Sequence, residues 1–206
     1  MWDHCYSVLK SLLHPMHGAT EHNLGIVFKH LLGNVLLTFD AVNGASVPKT
    51  YHAIRTKALG FIKKVVESEP EDKQVSSALQ VLLQYVCMRA PEKAEYRHLA
   101  AKSINDLFDL LHNEDKTRFI RFVDKYSKNK KTNYRMFAVE TALEMINDKA
   151  REESLNESQQ GDLSSLLNII MARSCDKLVG IRSKALSAIT SMLDAFETYG
   201  PFKQCT

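Results

Sequence analysis

The side chains of this sequence best suited to bind an anion lie in "KTRFIRFVDKYSKNKKTNYR", at 116–135, where eight cations accompany a single acid, Asp124. Its first part has apolar residues at helical spacing, which leaves Arg118, Arg121 and Lys125 on one outward face. More cations follow in the adjoining turn. Phosphate contacts require positive charge but no base-reading side chain, so this pattern favours binding to nucleic-acid phosphates. The predicted contacts are Arg118, Arg121, Lys125, Lys128, Lys130 and Lys131.

A solvated, solubilising surface is the alternative interpretation of this stretch, because most charge runs do no more than keep a protein in solution. The formal net charge of +3 is too small to indicate a nucleic-acid binder, so the prediction depends on local clustering. Arg135 is less certain as a contact because it also occupies a position of an internal repeat. The aromatic residues of the stretch are expected in the core rather than stacked on bases.

The sequence offers little support for catalysis or for a bound metal. It has no nucleophile elbow, P-loop, dinucleotide-binding glycine turn or HExxH, so we expect no enzyme and no small-molecule substrate. "HPMHGATEH" gathers His14, His17 and His22, and three imidazoles could hold zinc. The cluster lacks a cysteine or carboxylate at a recognised ligand spacing, so we expect solvated histidines and no cofactor. An enzyme of unrecognised type, using this cluster, is the remaining alternative.

The paired acids Glu140 and Glu144 lie four residues apart on a predicted helix. No cleft is evident around them from the sequence. We therefore expect both on an exposed helix face.

No stretch alternates apolar and polar residues strictly enough to predict a strand. We therefore expect helices to position all of these residues. The pattern of "YHAIRTKALGFIKKVV", from Tyr51, returns in "VGIRSKALSAITSML", from Val179, and weaker copies start at Glu95 and Asn133. Each copy contains Arg-x-x-Ala, and the copies recur about every 40 residues, the period of HEAT and armadillo arrays. The repeated arginines are Arg55, Arg97, Arg135 and Arg182.

Each copy predicts a helix with one buried face, because the aligned positions three, four, seven and eleven residues after the arginine are apolar. We expect the small alanine at the third position to let neighbouring helices approach closely. These alanines are Ala58, Ala100, Ala138 and Ala185. The arginine is expected to lay its aliphatic stem along the core and to keep its head in water.

An amphipathic stretch precedes each copy, which makes helix, turn, helix the repeating unit. The sequence therefore predicts an all-α fold, an α-solenoid of about four HEAT-type helical hairpins. The hairpins are predicted near 21–67, 71–112, 114–151 and 158–198, after a leading helix and loop at 1–20.

We expect an intracellular protein without a membrane span. The four cysteines lie far apart and form no CxxC pair, which is typical of reduced thiols. Asp3 and His4 precede any apolar run, unlike the start of a signal peptide. Charged residues interrupt the most apolar stretch, at 24–42.

The last unit, "RSCDKLVGIRSKALSAITSMLDAF", has Asp176 in its turn, six residues before Arg182, and this arrangement resembles the HEAT consensus. The other three units lack that aspartate. With "YRMFAVETALEMI" before it, "LLNIIMARSCDKLVGIRSKALSAI" looks like the HEAT-repeat subunits of condensin, most like the D3-type subunits of condensin II. The resemblance covers most of the chain from about Leu24. Such subunits are several times longer, so we expect a piece or a short isoform.

The resemblance implies a non-enzymatic regulatory subunit that binds the kleisin and SMC ATPase subunits of condensin and contacts DNA or chromatin. It also implies a nuclear, chromosomal location and a role in mitotic chromosome condensation. The alternative is a generic HEAT-repeat scaffold or nuclear transport adaptor with protein partners only. Because Phe196, Tyr199 and Phe202 lie close together at the end, we expect a further repeat to cover them and the isolated chain to self-associate.

Overall fold

The fold is all-α in the computed structural model, which describes residues 2–18, 20–36, 49–149 and 156–199. Those residues form nine α-helices and one 3-10 helix, Pro15–His17, and no strand. The α-helices are α1 (Trp2–Ser11), α2 (Thr20–Leu36), α3 (Lys49–Ser68), α4 (Lys73–Met88), α5 (Ala94–Phe108), α6 (Asn113–Ser127), α7 (Thr132–Lys149), α8 (Glu157–Arg173) and α9 (Val179–Tyr199). The predicted fold class, an all-α solenoid type built from helical hairpins, is confirmed. The side chains of Phe196, Tyr199 and Phe202 lie outside the described part.

Side-chain caps explain where two of the helices begin. The Asp72 carboxylate accepts a hydrogen bond from Gln74 N at 2.7 Å, and α4 follows. Asn156 and Gln159 form a capping box before α8, in which each side chain accepts from the other residue's backbone N–H at 2.9 Å. Both caps satisfy amides that have no partner within the helix.

The chain divides into two compact units, and the first, unit 1, spans Met1–Lys116. Within it α2 packs against α3 and α4, and α4 packs against α5. Phe28, Ile62, Leu79 and Ile104 are almost completely buried in its core. The leading helix α1 packs on α3, which it contacts through the stacked rings of Tyr6 and Phe61, 5.1 Å apart.

Unit 2 spans Thr117–Thr206 and contains most of α6 together with α7, α8 and α9. Helix α7 packs against both α8 and α9, which also contact each other. Aromatic rings join α6 to α7: Tyr126 stacks on Tyr134 with centroids 4.5 Å apart and on Phe122 at 5.5 Å. The limits of the four predicted hairpins remain a prediction.

The repeated alanines are buried as predicted. Each of the four has at most 1% of its surface exposed. A side chain larger than a methyl group at these positions would have to displace close-packed neighbours.

The expectation that the repeated arginines keep their heads in water is wrong for Arg55 and Arg135, which are 7% and 3% exposed. Arg55 reaches from α3 to α5, where Nε donates to Ser103 Oγ at 2.9 Å and Nη2 donates to Leu99 O at 3.0 Å. A buried guanidinium needs acceptors, and here a neighbouring helix supplies them. The arginine thus links α3 to α5 within unit 1.

The expectation of an exposed face for Glu140 and Glu144 is also wrong. Glu140 is 8% exposed, and Glu144 is half-buried. Lys184 Nζ lies 3.8 Å from Glu140 Oε1. The sequence does not reveal this burial because it arises from the packing of α9 on α7.

In the described part of the chain, no helix is long and apolar enough to cross a membrane. Of the cysteines there, Cys5 and Cys175 are exposed, Cys87 is buried, and all three are free thiols.

Candidate nucleic-acid interface

Helix α6 carries Arg118, Arg121 and Lys125 opposite its buried face, as the spacing predicts. Phe119 and Val123 are completely buried, and Tyr126 is 6% exposed. Their burial fixes the rotation of the helix about its own axis. The opposite side, called here the basic face, consists of three exposed residues, Arg118, Arg121 and Lys125.

The three lysines of the following turn are all exposed, but their surroundings differ. Lys128 Nζ lies 2.6 Å from Asp124 Oδ2 in an exposed ion pair. Such a surface pair contributes about 0–1 kcal/mol, so it leaves Lys128 able to exchange its partner. Lys131 Nζ lies 5.1 Å from the centre of the Tyr134 ring. This segment, residues 128–131, is called the basic turn below.

Arg135, which is buried, holds the basic turn in place through hydrogen bonds to its backbone. Its Nη1 donates to Asn129 O and Lys130 O, both at 3.0 Å. The Asn129 side-chain oxygen accepts from Lys131 N at 2.9 Å. Because Arg135 is buried and occupied by these bonds, it positions the turn and is not itself placed to meet a phosphate.

Asp176, in the turn between α8 and α9, is the buried acceptor that pairs with Arg135. Its carboxylate also accepts from Arg173 Nη1 at 3.0 Å and from Leu178 N at 3.0 Å. The hydrogen bond and charge of Arg135 hold the pKa of this carboxyl below its ordinary value, although burial opposes the shift. The carboxylate therefore stays ionised and fixes the start of α9 against α7.

A cleft of about 320 Å³ lies between the basic turn and the turn that joins α8 to α9. Lys128 and Lys130 line one side, and Arg173 and Lys177 line the other, with the Arg135–Asp176 pair also in the lining. Lys177 is exposed. Since the lone carboxylate, Asp176, is already paired, the cleft presents a surplus of positive charge to an incoming anion.

Comparison with known proteins shows which proteins the chain resembles in sequence. No family profile matches the chain, and no solved structure matches it. It is 31% identical over 204 residues to "Condensin-2 complex subunit D3-L" of Xenopus laevis, an alignment that covers 94% of this chain. The chain is related to the D3 subunits of condensin-2. The predicted resemblance to D3-type subunits is thereby confirmed.

Two further proteins with similar sequences are also named D3 subunits of condensin-2. The chain is 32% identical over 199 residues, 92% of its length, to "Condensin-2 complex subunit D3" of Mus musculus. It is 25% identical over 179 residues, 83% of its length, to "Condensin-2 complex subunit CAP-D3" of Arabidopsis thaliana. The chain spans only 13% of the length of the frog and mouse D3 relatives and 14% of the plant one.

In the structure of this D3-related chain, the six residues predicted to contact phosphates do not all lie in one site. Only Lys128 and Lys130 line the cleft, whereas the basic face lies along α6 and Lys131 lies beside Tyr134. Lys177 was missed by sequence reasoning. The repeat alignment contained a usable signal, because Lys130 and Lys177 both follow the first helix of a predicted hairpin.

No metal site is found in the part of the D3-related chain that the structure describes, where no group of three or more His, Cys, Asp or Glu could hold an ion. His14, His17 and His22 therefore do not form such a group. Backbone contacts occupy part of this segment: Met16 N donates to His14 Nδ1 at 3.3 Å, and Asn23 Nδ2 donates to His17 O at 3.3 Å.

Proposed function

We propose that this chain is a non-enzymatic part of a condensin regulatory subunit and that unit 2 contacts DNA phosphates. The relation to condensin-2 D3 subunits supports the assignment to a condensin complex. In that setting its partners are the kleisin and SMC ATPase subunits, and its place of action is the chromosome within the nucleus.

The observation that carries the DNA proposal is the fixed position of the basic turn. Arg135 holds the turn by two carbonyl oxygens, so Lys128 and Lys130 project from an ordered backbone. Ordering these groups in advance lowers the entropy lost when a phosphate binds. Lys177 adds a cation from the opposite side of the cleft.

The chemistry of this surface matches phosphate contact, because its exposed charged side chains are cations. The basic face and the basic turn present cations at the surface, while Phe119, Val123 and Tyr126 face the core. Phe119 and Tyr126, whose rings could stack on bases, are buried, so the exposed cations are left to contact phosphates, which carry no sequence information. Binding to duplex DNA is therefore expected to depend little on sequence.

Fluorescence anisotropy on a random DNA duplex at several salt concentrations tests the DNA contact. If four to six cations engage phosphates, log affinity falls with log salt at a slope of about −4 to −5. The triple substitution Lys128→Glu, Lys130→Glu and Lys131→Glu is expected to flatten that slope and to leave helicity intact.

A matched control changes the same net charge in unit 1, at three exposed lysines: Lys64→Glu, Lys93→Glu and Lys102→Glu. The control is expected to retain most of the salt slope. If both triple variants lose affinity equally, the effect is one of overall charge and the basic turn is not the DNA site.

Affinity purification from mitotic cells tests the condensin assignment separately. Recovery of kleisin and SMC ATPase subunits is expected. Recovery of transport receptors or phosphatase subunits instead would favour a general HEAT-repeat adaptor.

A further inference from the structure

An open apolar groove lies between α2 and α4, in unit 1. Its volume is about 620 Å³. Ile26 and Val81, each 43% exposed, and Tyr85, 42% exposed, lie along it. Large apolar side chains gathered in one concave place mark an interaction site more often than scattered ones do.

Small residues give the groove its depth. Gly25 on α2 and Ala78 on α4 lie in its lining. A Cβ atom added to Gly25 would meet no atom within 4 Å, so the space above this residue is open. A glycine inside a helix lowers helix stability by about 0.5–1 kcal/mol relative to alanine, and here it leaves room for another chain.

The groove follows α2 for two helical turns. His22, Gly25, Ile26 and Lys29 line it, and their spacing is that of one helix face. At 1.5 Å per residue this face is about 10 Å long, which matches two turns of a partner helix. An α-helix that presents residues at i, i+3, i+4 and i+7 fits such a groove.

An extended peptide fits it less well. The backbone N–H and C=O groups of α2 and α4 are already used within the helices, so an extended strand would gain no main-chain ladder. The occupant must therefore be recognised through side chains, which a helix displays on one face.

The charges at the groove indicate which residues flank the apolar face of the partner helix. Lys29 and His22 lie at the groove, α4 contains no acidic residue, and α2 contains only Glu21. A second copy of the same surface would offer Lys29 no carboxylate from these two helices beyond that of Glu21. Acidic residues on the partner are complementary to this rim.

We propose that the groove between α2 and α4 binds an acidic amphipathic helix of a partner protein. The apolar anchors of that helix enter the space above Gly25, between Ile26 and Val81, and its carboxylates face Lys29 and His22. This site lies in unit 1 and is independent of the DNA contact proposed for unit 2.

The probe is a fluorescein-labelled synthetic helix of about 16 residues, long enough to be partly helical in water, with leucines at i, i+3, i+4 and i+7 and glutamates beside them. A peptide with lysines in place of the glutamates is its control. The acidic peptide is expected to bind at least about tenfold more tightly than the lysine peptide, by fluorescence anisotropy.

Two variants locate the binding. Ile26→Glu with Val81→Glu places charge on both apolar walls and is expected to weaken the acidic peptide at least about tenfold. Gly25→Leu fills open space and is also expected to weaken it. Since the replaced side chains are exposed and the glycine has room, circular dichroism should show native helicity in both variants.

Leu186→Glu with Leu193→Glu is the matched control, because it changes two exposed leucines of α9, which are 53% and 58% exposed. The affinity of this control for the acidic peptide is expected to equal that of the unchanged chain. The proposal is overturned if the control weakens binding as much as the groove variants do, if the groove variants bind normally, if both peptides bind equally, or if the acidic peptide does not bind. DNA affinity of the groove variants is expected to be unchanged, which separates this site from the one proposed in unit 2.

Discussion

Arg135 and Asp176 form a buried ion pair with two hydrogen bonds, in which Nε donates to Oδ2 at 2.8 Å and Nη2 donates to Oδ1 at 3.1 Å. Their side chains are 4% and 2% exposed. The pair joins α7 to the turn before α9, and the same guanidinium holds the basic turn. One arginine therefore connects the stability of unit 2 to the placement of its candidate phosphate contacts.

Replacing Asp176 by alanine is expected to destabilise the protein by about 3–5 kcal/mol, because it leaves the buried Arg135 charge without its carboxylate. Arg135→Met combined with Asp176→Leu should cost less than the sum of the same two substitutions made singly, since both charges of the pair are then absent, although Arg173 still loses its carboxylate partner. Urea denaturation of the four proteins gives the coupling free energy. Strict additivity would contradict a direct interaction.

The pair also predicts a pH dependence. The folded-state pKa of Asp176 lies below its unfolded value, so the unfolded chain binds the proton more readily. The resulting stabilisation is fully present above about pH 4, the ordinary range of an aspartate pKa, and is lost as pH falls towards the folded-state pKa. Asp176→Asn removes this titration. The difference in unfolding free energy between the two proteins should shrink from pH 6 to pH 3, measured by urea denaturation, and parallel curves would count against it.

Ala100 tests the packing inferred for the repeated alanines. It is completely buried in α5, so Ala100→Phe is expected to overpack its surroundings and cost about 1–3 kcal/mol. Ala94→Phe, at the exposed start of the same helix, is the control and should change stability by less than about 0.5 kcal/mol. Chemical denaturation measures both. A neutral Ala100→Phe would argue against the repeat alignment.

The helices and the buried alanines could be predicted because their signals are local. Apolar spacing decides which face of a helix is buried, and each copy of Arg-x-x-Ala carries that spacing within a few turns. The same reasoning placed Phe119 and Val123 inside and the basic face outside.

The arginine contacts could not be predicted in the same way. Arg55 finds Ser103, and Arg135 finds Asp176, at sequence separations of 48 and 41 residues. The residues near either arginine do not indicate whether its guanidinium donates to an acceptor in the next hairpin or to water. The repeat alignment pairs Lys177 with Lys130, but the alignment alone does not show that their two turns pack together and form a cleft.

Lys177 gives the sharpest test of the cleft, because sequence clustering did not select it and its inclusion depends on the fold. If a phosphate sits between the basic turn and the turn before α9, Lys177→Ala should weaken binding to a random duplex and reduce the salt slope by about 1. Lys102→Ala, at an exposed lysine of unit 1, removes the same charge and should leave the slope nearly unchanged. Anisotropy titrations at several salt concentrations measure both slopes. If the two variants behave alike while the basic-turn triple variant loses affinity, DNA contacts the basic turn without entering the cleft.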